Sequence, residues 1–133
     1  MNRMKIILDS NVYVFYFADK STDLIKILKN KKCRIFINDL IFSEVIRNLR
    51  KENVKDFKNL IKSPVFSVVV EITPAHIIEK YKKLELKKGD IVIAAFCEHI
   101  QADYLITENR HFLKKMEIEG CKILTAKEFI DIL

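Results

Sequence analysis

Asp9, Glu44 and Asp90 stand where apolar residues would be less costly. Asp9 closes the apolar run Met4-Lys5-Ile6-Ile7-Leu8, which reads as a short buried strand. Glu44 lies within Leu40-Ile41-Phe42-Ser43-Glu44-Val45-Ile46, four residues after Leu40 and therefore on the same face of a helix. Asp90 opens Ile91-Val92-Ile93-Ala94-Ala95-Phe96-Cys97, a stretch apolar nearly all round, as expected of a central buried helix. A buried charge is paired, neutralised or bound to a metal, and nothing adjacent in sequence partners all three. Gathered by a fold, they form an oxygen-rich negative pocket of the kind a hard divalent cation needs, which points to a metal-dependent enzyme.

The elements that must position these acids alternate along the chain. Short Ile- and Val-rich runs at 5–8, 34–37, 67–70, 104–106 and 121–124 read as strands. Amphipathic stretches at 21–30, 40–50, 54–62, 74–86, 91–101, 110–115 and 126–133 read as helices. Expected caps are Asp39, Thr73 with Pro74 at the first helical position, and Thr125 with Glu128 three residues on. Nearly continuous apolar strands alternating with helices predict an α/β fold, a three-layer α/β/α sandwich around a central parallel sheet, in one domain over residues 1–133. Such sheets bind ligands outside the carboxyl ends of their strands, where Asp9, Asn38-Asp39 and Thr107-Glu108-Asn109 fall.

Each acid also has a purely structural reading. Asp9 in Leu8-Asp9-Ser10-Asn11 suits an Asx turn or a cap, and Asp90 after Gly89 suits a helix N-cap. Glu44 gains nothing from capping, and Arg47 offers only a weak surface pair at i,i+3. Thr107 and Asn109 fit a turn and cap before a short helix; His76, His99 and His111 are scattered; the aromatic run Tyr13, Phe15, Tyr16 and Phe17 fits core packing.

A net charge of +6 and an isoelectric point near 9.2 are compatible with a polyanionic partner and equally with a Lys-rich solvated surface. The basic residues are spread through 29–34, 47–51, 80–88 and 114–115, which disfavours binding through a disordered arm. Cys33, Cys97 and Cys121 lack a short metal-ligand spacing and read as buried thiols in a reducing cytoplasm. No apolar stretch is long enough to cross a bilayer.

Taken together, Leu8-Asp9-Ser10-Asn11, Ser43-Glu44-Val45, Gly89-Asp90-Ile91-Val92-Ile93-Ala94-Ala95 and Leu105-Ile106-Thr107-Glu108-Asn109-Arg110-His111-Phe112 resemble, in order and spacing, the PIN-domain family of metal-dependent ribonucleases. The resemblance implies hydrolysis of single-stranded RNA, with Mg²⁺ or Mn²⁺ held by Asp9, Glu44 and Asp90. A fourth acidic position of that family falls on Asn109, which removes one negative charge and weakens the case for a second tightly held ion. Positioning roles are implied for Ser10, Asn11 and Thr107, whereas Glu108 should point elsewhere. Arg110, Lys114 and Lys115 lie just beyond and are expected to hold the RNA backbone. Small members of VapC type act as homodimeric toxins restrained by an antitoxin, which the resemblance raises here beside a housekeeping processing nuclease. The competing class is a nucleic-acid-binding module without catalysis, which Asn109 alone favours. A dehalogenase-type phosphatase fits less well, because it wants Asp-x-Asp where this chain has Asp9-Ser10-Asn11.

Overall fold

The computed structural model describes residues 3–84 and 86–133, and of Lys115 the backbone only. Residues 1 and 2 of the expected domain, residue 85 of the expected helix 74–86 and the side chain of Lys115 thus lie outside the described residues. In chain order the elements are β1 (Met4–Leu8), α1 (Ser10–Phe17), α2 (Asp23–Leu28), β2 (Cys33–Asn38), α3 (Asp39–Asn48), α4 (Lys51–Leu60), β3 (Phe66–Val69), α5 (Ala75–Lys82), α6 (Lys88–His99), β4 (Tyr104–Ile106), α7 (Arg110–Lys115), β5 (Lys122–Leu124) and α8 (Ala126–Ile132).

The strands form one sheet in the order β3-β2-β1-β4-β5, and every pairing is parallel. Ile6, Ile7 and Leu8 of β1, Ile35 and Ile37 of β2, and Leu105 and Ile106 of β4 are fully buried, as a sheet covered on both faces requires. Because the chain crosses β1 between β3 and β4, the right-handed rule for parallel crossovers places α1 to α4 on one face of the sheet and α5 and α6 on the other. α8 returns to the first face, where it meets α2, and Phe129 packs on Tyr104 at 5.2 Å between ring centroids. The arrangement is the expected three-layer sandwich. α6 supplies the buried run Ile93 to Cys97, while Lys80 of α5 bridges Glu98 of α6 at 2.7 Å and Glu119 at 2.6 Å. No helix among the described residues is long and apolar enough to cross a membrane.

Four local expectations are corrected. α1 had no place in the predicted set; its residues are apolar and aromatic nearly all round, so no amphipathic period marks them. The cap of α3 is Asn38, whose Oδ1 accepts from Ile41 N–H at 2.9 Å, and Asp39 becomes the first helical residue, where its charge favours the helix N-terminus. α5 begins at Ala75, with Pro74 in the cap position. α6 begins at Lys88, so Asp90 lies within its first turn and is not its cap. The Thr125–Glu128 capping box forms as expected.

Tyr13, Phe57 and Phe42 form an aromatic cluster beneath α1, with centroids 5.5 Å apart at each step. Within it the Tyr13 hydroxyl is fully buried without a protein partner among the described residues. An unsatisfied buried hydroxyl costs about 1–3 kcal/mol, so Tyr13→Phe should melt above the parent. A lower melting temperature would show that a buried water serves the hydroxyl.

Candidate functional site

The direction of strand addition reverses between β1 and β4: β2 lies on one side of β1, and β4, reached only after β3, lies on the other. The crevice at this switch point opens beyond the carboxyl ends of the two strands. Asp9 follows β1 directly, and Thr107 follows β4. Asp9 N–H donates to the Ile106 carbonyl at 2.9 Å, continuing the ladder past the end of β1. The Thr107 hydroxyl, fully buried, donates to Asp9 Oδ2 at 2.8 Å, and Ser10 N–H donates to Asp9 Oδ1 at 2.8 Å. Asp9 itself is 5% exposed. It occupies the N-cap of α1 but bonds only the amide next to it, so its position across from Thr107 accounts for more of its environment than capping does.

Two further acids reach this edge on helices. Glu44, on α3, accepts from the Ser10 hydroxyl through Oε2 at 3.1 Å. Its Oε1 faces the first turn of α6, where a methyl group on Gly89 would come within 3.4 Å of it. Asp90, next to Gly89, accepts from Asn109 Nδ2 through Oδ1 at 3.5 Å. Asn109 serves as the cap of α7, its Oδ1 accepting from His111 N–H at 2.9 Å, while its own N–H donates to the Thr107 hydroxyl at 3.0 Å. The turn-and-cap reading of Thr107 and Asn109 therefore holds together with contact to two of the acids.

The electrostatics follow from this packing. Burial pushes the Asp9 pKa up against the lowering effect of its bonds from Thr107 and Ser10. Burial is also the main cause of the raised pKa of Glu44, with Asp9 and Asp90 adding to it and Ser10 and Arg47 opposing. Asp90 is raised by burial and then by Asp9, against Lys87, His111 and Asn109. The three carboxylates thus feel one another as like charges. They are not closed into a ligand cage: among the described residues, no group of three His, Cys, Asp or Glu side chains lies close enough to hold one ion as it stands. The donor chemistry nonetheless suits a hard cation, since Asp9, Glu44 and Asp90 offer only oxygens, with the amide oxygen of Asn109 beside them. Glu44 and Asp90 are only partly buried, unlike Asp9.

The remaining expected residues are less engaged. Asn11, in the first turn of α1, and Arg110, first in α7, are exposed, and the Arg110 guanidinium makes no ion pair among the described residues. Glu108 points away from the acids, its Oε1 accepting from Ala126 N–H at 3.1 Å to hold the start of α8. Arg47 lies beside Glu44 as its i,i+3 spacing allows, and Lys87 stands three residues before Asp90, whereas His111 is brought beside Asp90 by the fold alone.

The linkage sign follows from the raised values. Between the unfolded and folded pKa of each acid the native state binds more protons, so stability falls as pH rises through that window. In EDTA at pH 7, Asp90→Asn should melt higher than the parent, and the difference should shrink as pH falls toward 4. A pH-independent difference would remove repulsion at this site as its cause.

The PIN domain family model matches residues 6–118 of the chain. Among solved structures, a chain of VapBC2 from Rickettsia felis, bound to a DNA fragment from their promoter, matches 90% of this chain with 97% of its own, at TM-score 0.70 and 17% identity. The PIN domain of T. brucei RRP44 matches 97% of this chain with 80% of its own, at TM-score 0.58 and 12% identity. At such identities the likeness is one of fold. A search of curated protein sequences found no match.

Proposed function

Since the chain belongs to the PIN domain family, whose members are generally nucleases, we propose that it is a Mg²⁺- or Mn²⁺-dependent ribonuclease hydrolysing phosphodiester bonds of single-stranded RNA. The observation that supports this reading is the set Asp9, Glu44 and Asp90 around the switch point, each with a pKa raised by burial and, for Glu44 and Asp90, by the neighbouring acids. Such an arrangement destabilises the empty fold and is relieved by a cation. Asp9, Glu44 and Asp90 would hold the ion, with Asn109 beside them. The chemistry such an ion supplies when bound is acidification of water and neutralisation of charge on a phosphoryl group.

The protein groups have distinct tasks in this scheme. Thr107 and the Ser10 amide fix both oxygens of Asp9, so this carboxylate is oriented before any ligand arrives. The Ser10 hydroxyl aims Glu44, and Asn109 holds Asp90 while capping α7. The likeness of fold to VapBC2 favours, as the biological setting, a toxin restrained by an antitoxin; the homodimer is proposed with it as the working form. The buried free thiols Cys33, Cys97 and Cys121 suit the reducing cytoplasm.

Pure protein incubated with labelled RNA should cleave in Mn²⁺ and stop in EDTA; binding without cleavage at saturating Mn²⁺ would instead identify a nucleic-acid-binding module. Asp9→Asn should keep the fold and lose about 10²-fold or more of the rate, the scale of removing one preorganised polar group from an active site. An ion bound only by the native state should raise stability by about 2.7 kcal/mol at a hundredfold excess over its Kd. Asn109→Asp should melt lower than the parent in EDTA and gain more from Mn²⁺. Identical Mn²⁺ responses in the two proteins would leave Asn109 as a helix cap only.

A further inference from the structure

The acid cluster is flanked by two exposed cations, Arg47 and Lys87, and an exposed histidine, His111, from three different helices. Arg47 follows Glu44 by three residues on α3, so the two share a helix face. Lys87 occupies the N-cap position of α6, three residues before Asp90. His111 is the second residue of α7, tied by its N–H to the same Asn109 whose amide reaches Asp90. Among the described residues none of these three side chains is in an ion pair with a carboxylate, whereas Lys80 and Lys82 in the same basic region are bound by glutamates at 2.6–2.9 Å. Their charges nevertheless reach the acids, opposing the upward shift of Glu44 and Asp90.

Exposed and without an ion-pair partner among the described residues, these three side chains keep donors available to a ligand beside the acids. A polyanion crossing the crevice needs such donors, because its phosphates would otherwise meet the carboxylates as like charges. We propose that Arg47, Lys87 and His111 are positioning residues that hold successive backbone phosphates of a single-stranded nucleic acid across the acid cluster. This rests on the nuclease reading above and names its substrate rim. Arg47 can bind a phosphate through two parallel N–H groups, Lys87 acts as a point charge, and His111 offers a ring N–H in either protonation state.

Binding of a labelled single-stranded RNA in EDTA, followed by fluorescence anisotropy over a salt series, tests the rim without requiring turnover. Arg47→Gln and Lys87→Gln should each weaken binding several-fold and flatten the salt dependence by about 0.7 in log–log slope, one phosphate contact on a single strand. His111→Gln should weaken binding by a smaller factor. Arg47→Lys and Lys87→Arg should restore most of the loss, which separates charge from any effect on folding. Lys29→Gln, an equal loss of charge at the opposite end of the strands, should leave affinity within about twofold, being remote from the crevice. In Mn²⁺ the rim variants should raise KM with kcat nearly unchanged. The proposal is overturned if the triple variant binds like the parent, if Lys29→Gln weakens binding as much as Lys87→Gln, or if the parent fails to bind RNA at low salt. A parent that binds but never cleaves would defeat the catalytic reading alone, because the slopes still decide the rim.

Discussion

The buried hydrogen bond from Thr107 to Asp9, 2.8 Å long, joins the ends of two strands that are neighbours in the sheet and 98 residues apart in the chain. An aspartate that is 5% exposed survives in a packed interior only with its oxygens satisfied, and here both are. The donors come from opposite sides of the switch point: the start of α1 on one, the turn after β4 on the other. The parallel register that sets Leu8 beside Ile106 is what brings Thr107 within reach. A slip of one residue would turn the side chains of β4 to the opposite faces of the sheet and leave Asp9 without its hydroxyl donor.

From this anchor the other acids are held with progressively more freedom. Glu44 receives one hydroxyl bond, and Asp90 a single long contact from an amide. Both are partly exposed, and both stay within the electrostatic reach of Asp9. In the proposed metal site, Asp9 is thus the carboxylate with both oxygens bonded, while Glu44 and Asp90 each keep one oxygen without a protein donor among the described residues. The cost appears as raised pKa values, a local destabilisation of the kind that functional sites carry and the surrounding core offsets.

That core is built from residues with no part in the chemistry. The fully buried strands β1, β2 and β4, the apolar run of α6 and the aromatic cluster of Tyr13, Phe42 and Phe57 hold the first turns of α1, α3 and α6 against the sheet edge. Asn38 and Asn109 cap their helices with short side-chain bonds, so the helices bearing Glu44 and His111 start at defined points.

Much of this was legible in the sequence. Short Ile- and Val-rich runs bounded by polar residues marked all five strands to within a residue at either end, since a strand buried on both faces must be continuously apolar. Asp9, Glu44 and Asp90 stood out because a carboxylate amid apolar residues needs a reason. Local composition could not reveal α1, where the apolar character runs round the whole helix and the period disappears. Nor could it fix where α6 begins, since Gly89-Asp90 looks like a helix start and only packing extends the helix back to Lys88. Which residues meet was decided by the fold alone. Ser10 reaches Glu44 across 34 residues, Asn109 reaches Asp90 across 19, and Arg47, Lys87 and His111 become a rim only when three helices converge on one sheet edge. Residue type and spacing are local properties that determine which chemistry is available. Proximity between distant segments arises from strand order and register, which no single segment encodes.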